Sequence, residues 1–512
     1  MSTAVRYCLV AAVLAACAPL AWANAKAAGA ADVLMNAGFA ERDITPELGM
    51  EQPGGYGKSF HKSLHDPCKV RAAVLDDGRS RVALVGVDAL VVPRSLVVGA
   101  REEIQKKCGI PPDAVLIAAS HSHSSGPTGM ILPGEYDDAS PLVKTLAYEK
   151  SSCADAGYLE RVEREIVAAV CRADAARVSA RCGVGSSIED QVAFNRRFRM
   201  KNGWTYTHPR QGNPDIVEVA GPTDPEVGVI GAWDEEGRLL GCVVNFACHA
   251  TTSPGGISAN YIYYLEQVIR GAMGAEAIVV FLPGASGDVT QVDNLSPYIG
   301  RRGEDSARFV GGRVGAEAVK VLLAMDTGVL APLAACSTTL KFRHRVPSPE
   351  RVKRCYELVQ KDPKEVGATE WTFAKEIVLL DARLAREPTA EAEVQAIQVG
   401  PAVFLSDPAE YFCQFGLDLK ARCAFPFTFP VSLANGCVGY VPTEEALGPG
   451  GGGYETRLTS YSNLEPAAGR KMVDAALELA GELKPGQVPT RPPAPPFSSE
   501  GWSYGSVPPE LE

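Results

Sequence analysis

Apolar and polar positions along this chain group into blocks that predict strands and helices in turn. From Cys68 onward, Arg71–Leu75 and Arg81–Val87 read as strands, with Asp76-Asp77-Gly78 as the turn between them. Pro93 opens a helix that the apolar spacing carries to about Cys108, where Gly109 and Pro111 stop it. Ala114–Ala119 is the next strand. Tyr158–Ala176 has helical spacing, and Val227–Trp233 with Leu239–Phe246 predicts a hairpin around Asp234-Glu235-Glu236-Gly237. Further strands are expected at Ala277–Leu282, Cys336–Phe342, Val394–Val399, Val403–Ser406 and Phe427–Leu433. Helices fit Tyr261–Gly271, Ala307–Met325, Glu350–Lys361, Trp371–Arg386, Tyr411–Arg422 and Ala467–Leu483. This order predicts an α/β fold: a mixed sheet with flanking helices and some antiparallel strands. From Lys484 the chain holds eight of its 37 prolines and no periodic apolar face, so residues 485–512 are expected to form a Pro-rich tail.

Composition and charge narrow the picture. Length alone, at 512 residues, allows roughly two to four units. A net charge of −11 argues against nucleic acid as a partner. At the N-terminus, Arg6 precedes the apolar run Tyr7–Ala16 and the small-residue site Ala21-Trp22-Ala23. That pattern predicts an export signal over residues 1–23, hence a periplasmic or secreted protein. Leu14-Ala15-Ala16-Cys17 carries the competing reading, a lipoprotein anchored through Cys17. No later stretch is long and apolar enough to span a bilayer. Twelve cysteines remain after Ala23, without a CxxC pair, so a cysteine zinc finger is not expected, and an exported chain would pair some of the twelve.

The chemistry gathers where strands stop. The run "AVLIAASHSHSSGPTG" ends an apolar strand in His121 and His123, and strand periodicity places both on one face. Two converging imidazoles suit a divalent metal, zinc above all; two histidines hydrogen-bonded in a turn would give the same pattern. "CVVNFACHATT" repeats the arrangement with His249, so three of the seven histidines end two predicted strands. A catalytic metal needs a further ligand, and "VFLSDPAEYFCQFG" offers Glu410 where a helix would begin, although a first-turn Glu also suits the helix dipole. Asp88 and Asp288, each closing an apolar run, read either as carboxylates that orient a histidine or as turn caps.

Together these segments resemble the neutral ceramidase family (the neutral/alkaline, non-lysosomal ceramidases). "SHSHSSGPTG", "NFACHATT", "FLPGASGDVT" and "NGCVGYVPTEEALGPGGGGYE" resemble four motifs of that family in its own order, across Gly38 to Leu483. The resemblance implies a single large zinc hydrolase domain over residues 36–484 without the C-terminal β-sandwich of the family's longer members. It implies a Zn2+ cofactor held by His121, His249, Glu410 and Tyr440, and metal-activated water attacking an N-acyl, ceramide-like amide. His123 matches a substrate-contacting histidine and Tyr454 a tyrosine near the scissile amide. "AFNRRFRM" resembles an Asn-Arg dipeptide, which makes Arg196 an active-site arginine. Thr290 stands where the family has serine, which puts a serine-nucleophile mechanism in doubt. The glycine-rich run Gly448–Gly453 is expected to form a mobile lid, and "MILPGEY" an apolar surface loop. The expected partner is a small or lipid-like N-acyl amide, with peripheral membrane contact and oligomeric state left open. The rival readings are a metallo-esterase or deacetylase using the same site, and a secreted metal-binding protein without activity.

Overall fold

Eight strands build the main sheet, in the order Ile278–Pro283, Leu239–Phe246, Glu226–Trp233, Val178–Ile188, Met35–Asp43, Lys69–Asp76, Arg81–Val87 and Val115–Ala119. The structure, a computed structural model, describes residues 35–491, 503–505 and 508–512. The expected export segment and Cys17 lie outside the described residues, as does part of the Pro-rich tail. Neighbours in the middle of the sheet run antiparallel. At each edge, however, the last two strands run parallel: Arg81–Val87 with Val115–Ala119, and Leu239–Phe246 with Ile278–Pro283. A helix makes each crossover, Arg94–Cys108 in the first pair and Tyr261–Met273 in the second. The first helix ends as its sequence demands, with Gly109 at φ 71°.

The two edges meet. A side chain at Gly86 would lie 2.4 Å from the Phe281 carbonyl, so only glycine lets these strands pass so closely. The carboxyl ends of both parallel pairs therefore open onto one place, where α/β folds collect ligands. A second sheet, Leu333–Arg343, Thr389–Val399, Ala402–Ser406 and Phe427–Val431, packs beside it. The Asn245 amide donates to the Leu282 and Pro430 carbonyls at 3.0 and 2.8 Å and joins the two sheets.

Most predicted elements form within a few residues of their expected limits. Two central strands, Met35–Asp43 and Val178–Ile188, escape the apolar pattern because helices demand small residues there. A Cβ at Gly38 would meet the Ala173 carbonyl at 2.0 Å, and one at Gly183 would meet Met325 at 2.7 Å. The helix expected from Tyr411 begins at Cys413. All twelve cysteines in the described residues are free thiols, so the expected pairing is not found. "MILPGEY" is not a surface loop: Ile131 and Tyr136 are buried, and Met130 and Leu132 half-buried. No helix among the described residues is long and apolar enough to cross a membrane.

Candidate functional site

His121 follows the Val115–Ala119 strand and His249 the Leu239–Phe246 strand, so the two parallel pairs deliver one imidazole each. The His123 N–H donates to the Ala250 carbonyl at 3.2 Å and ties the two segments together. The strand has already ended at Ala119, and His121 sits at φ 62°, in the left-handed region. His121 and His123 converge through this turn, not through strand periodicity. Their rings stand edge to face with centroids 4.7 Å apart, and their Nε2 atoms are 3.2 Å apart.

Glu410 arrives from the second sheet. It is not in the first turn of a helix, as the sequence suggested, but in the short strand Glu410–Tyr411, which pairs in parallel with Tyr440–Val441. The register sets Glu410 directly opposite Tyr440, so both side chains leave the same face. Glu410 Oε2 lies 3.3 Å from His121 Nε2 and 3.1 Å from His249 Nε2. His121, His249, Glu410 and Tyr440 are all buried.

The protonation pattern of this cluster suits a metal. His121 Nδ1 is 2.9 Å from the Leu90 carbonyl and His249 Nδ1 is 2.7 Å from the Ser286 carbonyl. A carbonyl only accepts, so each Nδ1–H donates outward and each Nε2 is the nitrogen that faces inward. Burial, then Arg196, pushes the His249 imidazole down to about 4, so it is neutral at neutral pH. Burial pushes the Glu410 carboxyl up, but the adjoining His121 and His249 rings hold it well below the usual carboxylate range. Two imidazole Nε2 atoms and a carboxylate oxygen thus face one point, and a cation there would satisfy all three. Donors around a tetrahedral zinc, with bonds of roughly 2.0–2.1 Å, stand about 3.3 Å apart, which is the spacing seen here. His121, His123 and His249 also form a compact imidazole group whose ligating atoms lie within 4.8 Å of one another.

Around this cluster stand hydrogen-bond donors. Arg196 Nη2 donates to Tyr440 Oη at 3.2 Å and to the Gly287 carbonyl at 2.7 Å, while its Nε is paired with Glu455 at 2.7 Å. Tyr454 Oη is 3.0 Å from Tyr440 Oη, and the Arg196 guanidinium lies 5.1 Å from the Tyr454 ring centre. Burial first, then Glu410, raises the Tyr440 phenol well above its ordinary value; burial also raises Tyr454, against Arg196. Both phenols therefore keep their protons and can donate. Of the neighbouring arginines, Arg197 binds the Gly452 carbonyl at 2.9 Å and Arg199 pairs with Glu218 at 3.1 Å, and neither reaches the cluster.

Several sequence candidates turn out to be scaffold. Asp88 Oδ2 accepts from Arg71 at 2.7 Å and from the Lys69 N–H at 2.8 Å and touches no histidine. Asp288 accepts from Asn195 at 2.8 Å and from the Cys413 N–H at 2.9 Å, holding the Asn195-Arg196 segment against the helix after Glu410. The Thr290 hydroxyl accepts from the Val292 N–H at 3.3 Å. The glycine-rich run is not the free lid expected, since Arg197 grips Gly452 and Thr205 donates to the Gly450 and Gly451 carbonyls. The sequence reading passed over the "PGGYG" turn. Gly54 packs on His123, and Tyr56 lines the small cavity of about 60 Å³ together with His121, His123, Glu410, Tyr440 and Tyr454. Its two adjacent glycines were the available signal.

No protein-family model matches the chain, and no curated protein matches it in sequence. Among solved structures, a ceramidase complexed with C2 matches with a TM-score of 0.66 and 18% identity, over 90% of this chain and 78% of that one. Neutral ceramidase from Pseudomonas aeruginosa matches with a TM-score of 0.66 and 20% identity, over 91% of this chain and 77% of that one. At such identities the likeness is one of fold. The chain has the α/β fold of the neutral ceramidase structures over about nine-tenths of its length.

Proposed function

We propose that this protein is an exported, zinc-dependent hydrolase that cleaves an N-acyl, ceramide-like amide with metal-activated water. The observation that carries this reading is the meeting of His121 Nε2 and His249 Nε2, at 3.3 and 3.1 Å, with one carboxylate oxygen of Glu410, beside donors on Tyr454 and Arg196. His121, His249 and Glu410 would hold the ion and Tyr440, set beside Glu410, would complete the set. A bound zinc supplies a Lewis acid and brings the pKa of water at the site to roughly 7.

The chain's own groups do the rest. Burial, then the two neighbouring imidazoles, pushes His123 well below its ordinary value, so it is neutral and able to take a proton from the attacking water. It returns that proton to the leaving nitrogen. Tyr454 Oη–H is aimed at the carbonyl oxygen as negative charge develops there. Arg196, fixed by Glu455 and Gly287, holds Tyr440 in place and adds positive potential. The buried walls exclude bulk water, which strengthens each of these interactions.

The test is a panel of N-acyl amides with matched esters and acetylated amines, assayed with purified, zinc-loaded protein. Amide cleavage that chelation abolishes and zinc restores supports the reading. Cleavage of esters or acetyl groups alone would replace it with the esterase or deacetylase reading, and inactivity with zinc bound would leave a metal-binding protein.

A further inference from the structure

Beside the metal pocket lies a much larger chamber, of about 570 Å³. Gly55, Tyr56, Met130 and Tyr461 stand in the walls of both cavities, so the two adjoin. A substrate whose scissile bond lies at the imidazoles places one arm in this chamber. The chamber is not purely oily: charged and polar side chains stand in its walls beside apolar ones, so it can take a polar or charged group as well as an alkyl chain.

Its charges are mostly spent within the fold. Glu376 meets Lys375 at 3.1 Å and accepts from Ser460. Glu391 meets Lys341 at 3.1 Å, and Arg94 meets Glu393 at 2.6 Å. Glu135 accepts from the Leu132 N–H at 3.0 Å, and burial pushes its carboxyl up although that hydrogen bond and the charge of Arg383 pull it down. Glu387 is exposed to solvent. Arg383, on the Ala368–Leu384 helix, differs: among the described residues it has no hydrogen-bond or ion-pair partner for its guanidinium, and its Nε is buried. Arg345, by contrast, spends its donors on the Thr456, Ser462 and Leu464 carbonyls. An unpartnered, half-buried guanidinium in a substrate-sized chamber is a site for an anion.

We infer that Arg383 is a specificity-determining residue that binds a carboxylate carried by the substrate, which makes the preferred substrate class an N-acyl amino acid or similar anionic N-acyl amide. The inference rests on the hydrolase reading of the adjoining metal pocket.

The experiment compares N-dodecanoylglycine with N-dodecanoylethanolamine on full-length, zinc-loaded protein. The pair shares its acyl chain and differs in a carboxylate against a hydroxymethyl group. Wild type should favour the glycine conjugate at least tenfold in kcat/KM. Arg383→Gln should bring that ratio towards one, chiefly through KM, and Arg383→Lys should restore part of it. No preference in wild type, or an undiminished preference in Arg383→Gln, overturns the inference. If neither amide is cleaved, the hydrolase reading fails, and calorimetric binding of N-dodecanoylglycine then decides the subsite. Binding at least tenfold weaker to Arg383→Gln than to wild type supports it, whereas equal affinity or no binding to either overturns it.

Discussion

His121 shows how much of the site rests on single residues. Its left-handed backbone at φ 62° is a conformation that non-glycine residues adopt at a cost, and it turns the imidazole away from the strand and towards His249 and Glu410. His121→Ala or His249→Ala should remove both bound metal and hydrolysis, as read by elemental analysis and amide turnover. His123→Ala should keep the metal and slow turnover; loss of metal there would move His123 into the ligand set. Tyr454→Phe removes one donor from the developing oxyanion and should lower kcat by roughly 10²–10³ with metal content unchanged. The three histidines, of only seven in the chain, and Glu410 were legible because they close apolar runs, whereas Tyr440 and Tyr454 were legible only through the family resemblance. What orients the histidines was not, since the Leu90 and Ser286 carbonyls have no sequence signature. Asp88 stayed open between two readings because a carboxylate at a strand end suits a histidine as well as the Arg71 it in fact meets.

At the scale of elements, the site depends on short segments that fix register. The two-residue pairing of Glu410–Tyr411 with Tyr440–Val441 sets a carboxylate beside a phenol, a juxtaposition no local pattern announces. The predicted strands and helices were legible wherever a run faced the core with large apolar residues. They were lost where a helix crosses a strand closely enough to require glycine, alanine or serine, as in Met35–Asp43 and Val178–Ile188. The turn before Tyr56 gives the sharpest test at this scale. A Cβ on Gly54 would lie 2.2 Å from His123 Nδ1, and its φ of 102° disfavours any other residue. Gly54→Ala should therefore displace His123 and reduce kcat while leaving zinc content at the wild-type level. Full turnover in that variant would mean that His123 is not needed where the structure puts it.

At the scale of the molecule, the main sheet is braced by a buried ion network behind the site. Arg71 pairs with both Asp88 and Glu266, and Lys69 with Glu266 at 3.0 Å. Burial pushes the Glu266 carboxyl up, but Arg71 and Lys69 outweigh it and bring it down to about 2. A carboxylate held below its unfolded value stabilises the fold above about pH 4.5, and that contribution is lost as the pH falls towards 2. Glu266→Gln should accordingly be less stable than wild type at neutral pH, with the difference shrinking through this window in denaturant titrations. Arg71→Met, which strands two buried carboxylates, should cost about 3–5 kcal/mol at neutral pH. This bracing holds together the sheet whose two parallel edges present His121 and His249 to Glu410, and the whole functional account depends on that meeting. Elemental analysis of purified wild-type protein beside His249→Ala and Glu410→Gln tests it most directly. The account predicts about one zinc per chain in wild type and little or none in either variant, whereas a wild-type protein that takes up no divalent metal, or variants that hold it undiminished, would contradict it.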